Sequence, residues 1–316
     1  MVISRTPLRI SFVGGGTDMN YFYEKNSGSV ISAAIDKYIY ILVKKRFDNK
    51  IVLNYRKRES VSSTSEIKHE LIKASLEMLN INKSVEIQSI ADIPSEGSGL
   101  GSSSSFTVGV LNALTNFIHE PMNNSKLAEM ACKIEIDILG APIGKQDQYG
   151  CAIGGLKQIN FNKDSTVDII PIPDKNNLYL NLENRLIIVN SKKTRSASKL
   201  LQTQKKDFKK NEERLIKILK NVSSFNNSLN NQNFEKINLL INDYWNEKKQ
   251  ILTNKDTLKL YNKFVPKYCD SGKICGAGGG GYFLFIKKEF CNLDSHEYLN
   301  VKIDSLGSTI IYNNYI

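Results

Sequence analysis

The stretch Pro94–Phe106, P-S-E-G-S-G-L-G-S-S-S-S-F, sets Gly97, Gly99 and Gly101 among serines and runs straight into an apolar periodic segment. Glycine lacks the Cβ that would keep a backbone from closing around a ligand. A helix starting near Ser102 would aim its unpaired N–H groups and the positive end of its dipole at that ligand. A phosphate-bearing molecule is the natural guest. The loop is not a Walker A sequence, because no Gly-Lys-[Ser/Thr] follows Gly97 at the required spacing. Its glycines do not fit G-x-G-x-x-G either. A flexible Gly/Ser linker is the alternative, although a linker need not lead into an amphipathic helix.

Two further constellations lie on either side. P-L-R-I-S-F-V-G-G-G-T-D, Pro7 to Asp18, reads as a strand that carries Arg9. It ends in Gly14-Gly15-Gly16, where a substrate or another backbone can come close. Thr17 and Asp18 follow at the turn; a strand end with a capping Asp is the plainer reading. E-I-D-I-L-G-A-P-I-G-K-Q-D-Q-Y-G, Glu135 to Gly150, reads as a helix ending at Gly140-Ala141-Pro142, with Gly144 and Asp147 beyond it. Here a C-cap followed by the N-cap of the next helix is as good a reading as catalysis.

Working outward, strands are expected at 2–13, 29–56, 84–90, 155–161, 166–172 and 185–190. Helices are expected at 66–79, 102–118 and 125–139. In the second, Phe106, Val110, Leu114 and Phe117 fall at helical spacing. In the third, Leu127, Met130, Ile134 and Ile138 form the apolar stripe. Beyond the polar stretch 173–184, the expected domain boundary, come Lys-rich helices at 196–221, 233–252 and 255–265. A glycine cluster at 276–281 and short strands complete the chain.

Composition narrows the class. The 316 residues are 41% hydrophobic and 24% charged, enough for one large or two medium globular domains. No apolar run approaches the roughly 20 residues of a membrane span. The N-terminus alternates like a strand and is no signal peptide. Five scattered cysteines without a C-x-x-C pair imply reduced thiols and a cytoplasmic protein. The net charge of +11 is spread along the chain, with one denser block from Lys192 to Lys210. Nucleic-acid binding is therefore not expected, and a cationic pocket for a phosphorylated metabolite is a better use of the charge.

Taken in order, these pieces resemble the GHMP kinases, the family of galactokinase, homoserine kinase and mevalonate kinase. The first constellation is similar to its N-terminal P-x-R…G-x-x-T-D motif. The serine-glycine loop is similar to its P-x-x-x-G-L-G-S-S nucleotide loop. K-I-C-G-A-G-G-G-G-Y-F-L-F, Lys273 to Phe285, is similar to its C-terminal glycine motif. The resemblance spans essentially the whole chain. Within the family, the Gly-Gly-Gly-Thr-Asp turn and G-A-P-I-G-K-Q-D-Q-Y look most like the D-glycero-D-manno-heptose 7-phosphate kinases, and next like fucokinase domains.

That resemblance implies an α+β fold in two domains, 1–180 and 181–316. The first would carry a left-handed βαβ crossover, the second would be ferredoxin-like, and the site would lie between them. It implies ATP-dependent phosphorylation of the anomeric hydroxyl of a heptose 7-phosphate, with ATP and Mg²⁺, by a monomer or homodimer. Gly97, Ser98, Gly99, Leu100, Gly101, Ser102, Ser103 and Ser104 would bind nucleotide. Ser102 or Ser103, with Glu135, would hold Mg²⁺. Asp147 would orient or deprotonate the attacking hydroxyl, with Arg9 keeping it ionised. Gly15, Gly16, Thr17, Asp18, Gly144, Gly278 and Gly279 would line the sugar site. Arg195, in K-K-T-R-S-A-S, is a candidate for the acceptor's phosphate, against the plainer reading of a solvated helix start. The alternatives are a related kinase for fucose or a hexuronic acid, or a regulator that binds without turnover. Departures from the pattern are Glu96 inside the loop, Gly15-Gly16 in place of the Glu-His pair of galactokinases, and Ser104-Ser105 where alanines are common. The last is expected to be harmless.

Overall fold

A computed structural model describes residues 1–94, 97–193, 208–252, 255–276, 278–291, 293–294 and 297–315. The apolar alternation of the first fifty residues becomes two long antiparallel strands, β1 (Val2–Val13) and β2 (Gly28–Lys45), joined across the helix α1 (Asn20–Asn26). β2 is long enough to serve two neighbours on its other edge. Gly28–Ala33 pairs with β6 (Leu156–Phe161), and Ile39–Lys45 pairs with β5 (Val85–Ala91). The expected single strand 29–56 is therefore interrupted. It breaks after Lys45, and β3 (Ile51–Asn54) and β4 (Arg58–Val61) follow as a hairpin. β3 runs parallel to β5, and α2 (Glu70–Met78) lies on the connection between them. β7 (Val167–Ile172) extends the sheet beyond β6.

Behind this sheet lies α3 (Ser102–Phe117), starting as the sequence predicts. It is buried on nearly every side instead of along one stripe, because β1, β2, α4 (Asn124–Cys132) and α5 (Gln146–Ala152) all pack on it. Serine and threonine hydroxyls on its buried faces find partners, such as Ser105 Oγ to Thr6 O at 3.1 Å, so their burial is not penalised.

The expected helix 125–139 is α-helical only to Cys132 and continues as a π-helical turn over Lys133–Ile138. The wider turn shifts the phase of the side chains. Ile134 and Glu135 are buried, whereas Ile138, expected on the apolar stripe, is 52% exposed.

A second, antiparallel sheet has the order β11 (Leu299–Asn300), β8 (Leu186–Asn190), β10 (Tyr282–Lys287), β9 (Cys269–Ile274). The 173–184 stretch before it forms a short helix, α6 (Leu178–Glu183). Three helices follow: α7 (Phe208–Asn230), α8 (Phe234–Leu252) and α9 (Lys255–Phe264). Trp245 of α8 stacks within an aromatic cluster with Tyr261 and Phe283, which fastens α8 to this sheet. The chain end does not stay there. β12 (Thr309–Asn313) pairs with β1 of the first sheet. No described helix is long and apolar enough to cross a membrane.

Candidate active site

Arg9 occupies the middle of β1 and is 1% exposed. Its Nη1 donates to Gly99 O at 2.8 Å, and its own amide donates to Leu100 O at 2.9 Å, so the strand holds the serine-glycine loop directly. Nε and Nη2 both donate to Asp147 Oδ1, at 3.0 and 2.6 Å. Burial alone would lower the guanidinium's pKa, but the facing Asp147 carboxylate reverses this and the pKa is raised. Asp147, in the first turn of α5, is 30% exposed toward a cavity of about 560 Å³.

That cavity brings together all three sequence constellations. Among its lining residues are Gly15, Gly16, Asp18, Gly97, Ser98, Gly99, Gly101, Ser102, Ser103, Ser104, Glu135, Gly144 and Asp147. The C-terminal glycine motif closes it by seating on the loop. Tyr282 N donates to Ser98 O at 2.9 Å, and a Cβ on Gly276 would lie 2.8 Å from Gly99 Cα. Only a glycine permits that approach of two backbones. Gly276 lines the cavity, whereas Gly278 and Gly279 do not.

Glu135 is 2% exposed and surrounded by donors. Ser103 Oγ and Thr107 Oγ1 reach Oε1 at 2.9 and 3.1 Å, Ser104 Oγ reaches Oε2 at 2.7 Å, and Gln148 Nε2 also donates to Oε2. Burial raises its pKa, and these donors work against the rise. Ser104, expected to be a harmless departure, is thus a direct partner of Glu135. Ser102 makes a different contact, sharing a hydrogen bond with Ser98 at 2.7 Å.

Asp18 is 2% exposed. Its Oδ1 accepts from Gly16 N at 2.9 Å and Gln146 Nε2 at 3.1 Å, and Oδ2 from Gln146 N at 3.4 Å. Burial raises its pKa first, and the charge of Asp147 adds to it. Gly144 packs so closely that a Cβ there would stand 2.0 Å from Asp18 Oδ2. Thr17 does not face the cavity. It is fully buried, with Oγ1 2.8 Å from Gly14 O and 2.9 Å from Ser29 O, and it ties the turn to β2. Arg195 and Glu96 lie outside the described residues.

The sequence reading missed Ser11, Gln146, Tyr244 and Lys248, which also line the cavity. Tyr244 and Lys248 are one turn apart on α8, a spacing that puts both on one face. The N-E-K-K run that holds Lys248, Asn246 to Lys249, reads as solvent-facing until α8 is docked. Behind Ser11, Lys273 is 1% exposed and donates to Ser11 O at 2.6 Å. Burial brings its pKa down to about 7.

The description "GHMP kinases N terminal domain" matches residues 67–155. A D-glycero-alpha-D-manno-heptose 7-phosphate kinase of Campylobacter jejuni is 29% identical over 301 residues, covering 89% of this chain and 88% of that protein. An L-fucokinase/L-fucose-1-P guanylyltransferase of Bacteroides fragilis is 24% identical, covering 92% of this chain but 35% of its own length. In fold, the chain is similar to the crystal structure of a D-glycero-D-manno-heptose 1-phosphate kinase from Bacteriodes thetaiotaomicron. That likeness has a TM-score of 0.80 at 23% identity, covering 99% of this chain and 100% of the other.

Proposed function

We propose that this chain, which belongs to the GHMP kinases and is an ATP-dependent sugar kinase, phosphorylates the anomeric hydroxyl of D-glycero-D-manno-heptose 7-phosphate to the 1,7-bisphosphate. The observation that carries the reading is the meeting of Arg9, Asp147 and the Gly97–Gly101 loop at one cavity that Asp18 also lines. The 29% identity to the Campylobacter heptose 7-phosphate kinase supports the choice of sugar.

Phosphoryl transfer needs placed phosphates, neutralised charge and an aligned acceptor. The loop N–H groups and the start of α3 suit the β- and γ-phosphates. Asp147 Oδ2, left without a described donor, is available to the acceptor hydroxyl. It orients the oxygen and takes its proton as the bond to phosphorus forms. The Arg9 guanidinium holds Asp147 by Oδ1 and adds positive charge near the transferring group. Asp18, already fixed by three backbone and amide donors, takes hydrogen bonds from ring hydroxyls.

Magnesium fits the chemistry present. Glu135 is a buried carboxylate beside the hydroxyls of Ser103 and Ser104, and a few hard oxygen ligands are what Mg²⁺ accepts alongside nucleotide phosphates. The ion would neutralise phosphate charge, with Glu135 and Ser103 as its protein ligands.

The test is a coupled ADP-release assay with heptose 7-phosphate, unphosphorylated heptose, fucose, galactose and hexuronic acids. Turnover should be fastest, by kcat/KM, on heptose 7-phosphate. A clear preference for fucose would overturn the choice of sugar, and ATP binding without turnover on any acceptor would leave a regulator.

A further inference from the structure

Lys248 has no role in the mechanism above, yet it is 7% exposed and lines the same cavity. Its ammonium makes no hydrogen bond or ion pair with any described residue, and its only described contact of that kind is the Tyr244 ring, 5.8 Å from Nζ to the centroid. A buried ammonium without an anion is costly. Asp18 is the nearby charge that acts on it, yet Lys248 does not donate to the Asp18 oxygens, which accept from Gly16 and Gln146 instead, so its own donors are left unused.

The space in front of Lys248 is kept open by the glycine turn. A Cβ on Gly16 would lie 2.9 Å from Lys248 Nζ, and one on Gly15 would lie 2.8 Å from Tyr244 Oη. Any larger residue at either place would fill the gap. A second lysine stands behind it, since Lys273 Nζ lies 4.5 Å from the centroid of the same Tyr244 ring and donates to Ser11 on the cavity wall.

We propose that Lys248 receives a phosphate of the acceptor, with Tyr244 and the Gly15-Gly16 turn forming the walls of that subsite. The proposal rests on the sugar-phosphate reading of the function. It makes Lys248 a residue that selects a phosphorylated acceptor over a neutral one.

Two measurements test it on the full chain. With Mg-ADP bound to occupy the nucleotide's phosphate positions, inorganic phosphate is titrated calorimetrically into wild type, Lys248→Met and Lys248→Arg. Lys248→Met should weaken phosphate binding by about one to two decades, the loss expected for a hydrogen bond to a charged group, and Lys248→Arg should keep most of it. The preference for heptose 7-phosphate over heptose, as a ratio of kcat/KM values, should fall in Lys248→Met by the same order and recover in Lys248→Arg. Equal phosphate affinity in wild type and Lys248→Met overturns the subsite, and so does wild type that binds no phosphate at about 10 mM. An unchanged ratio overturns it too. If wild type prefers another sugar, the functional reading fails, while the phosphate titration still decides the role of Lys248.

Discussion

Arg9 and Asp147, 138 residues apart in sequence, meet through a single carboxylate oxygen: Nε and Nη2 of the arginine both bind Oδ1. Among the described residues no donor reaches Oδ2. One half of the carboxylate is anchored and the other half is left to the cavity, an arrangement that fixes the group without consuming it.

Asp147→Asn should therefore lower kcat by about 10²–10⁴-fold, the usual contribution of a general base, with little change in ATP affinity. The amide preserves shape but accepts no proton. Steady-state kinetics showing more than about a third of wild-type turnover would remove Asp147 from the role of base.

Glu135→Gln should raise the Mg²⁺ concentration for half-maximal rate by about tenfold or more, since losing even an outer-sphere partner has that effect on metal sites. Because burial raises the Glu135 pKa, protons compete with the ion, and the wild-type Mg²⁺ requirement should climb as the pH falls. An unaltered Mg²⁺ titration in the variant would place the metal elsewhere.

Gly144→Ala tests the packing behind Asp18. The new methyl would start 2.0 Å from Asp18 Oδ2 and 2.7 Å from Asp18 O, so the turn must move. Overpacking of this kind costs about 1–3 kcal/mol. A lower Tm together with a higher KM for the sugar is expected. Wild-type values of both would show that the turn yields freely.

Lys273→Met isolates a pH effect. The pKa of Lys273 falls from 10.5 in the unfolded chain to about 7 in the fold, mainly through burial. Between those values the unfolded state binds more protons, so this lysine's contribution to stability rises with pH across the window and is flat below it. The stability of wild type minus that of Lys273→Met, from urea unfolding, should increase from pH 7 to pH 9.5 by on the order of 1 kcal/mol or more. A level difference would mean that Lys273 stays charged throughout.

Much of the site was legible from sequence because its demands are local. Gly99 stands at φ +73° and Gly101 at φ +76°, backbone shapes that favour glycine, and the serines after them begin α3 as expected. The motif with Arg9 and Asp18, the loop, and the segment with Glu135 and Asp147 each carried its own chemical signature, and all three line one cavity. Less legible were residues whose meaning depends on distant neighbours. Thr17 sits within a substrate-like motif yet points into β2, and Ser104 looked neutral yet binds Glu135.

By itself, then, the sequence determined the order of the serine-glycine loop and its flanking motifs, the class of chemistry and the α+β architecture. Those follow from steric permission at glycines, the periodicity of apolar residues and the types of side chain present. Only the tertiary structure decided that Arg9 holds Asp147 by one oxygen, that the π-helical turn buries Glu135 while exposing Ile138, and that β12 returns to the first sheet. It also decided that Lys248, in a stretch of α8 patterned like a solvated surface, stands buried against the cavity. The physical reason is common to all four. Burial and partnership are properties of which surfaces meet, and a charged side chain's local sequence is the same whether its helix faces water or a cavity.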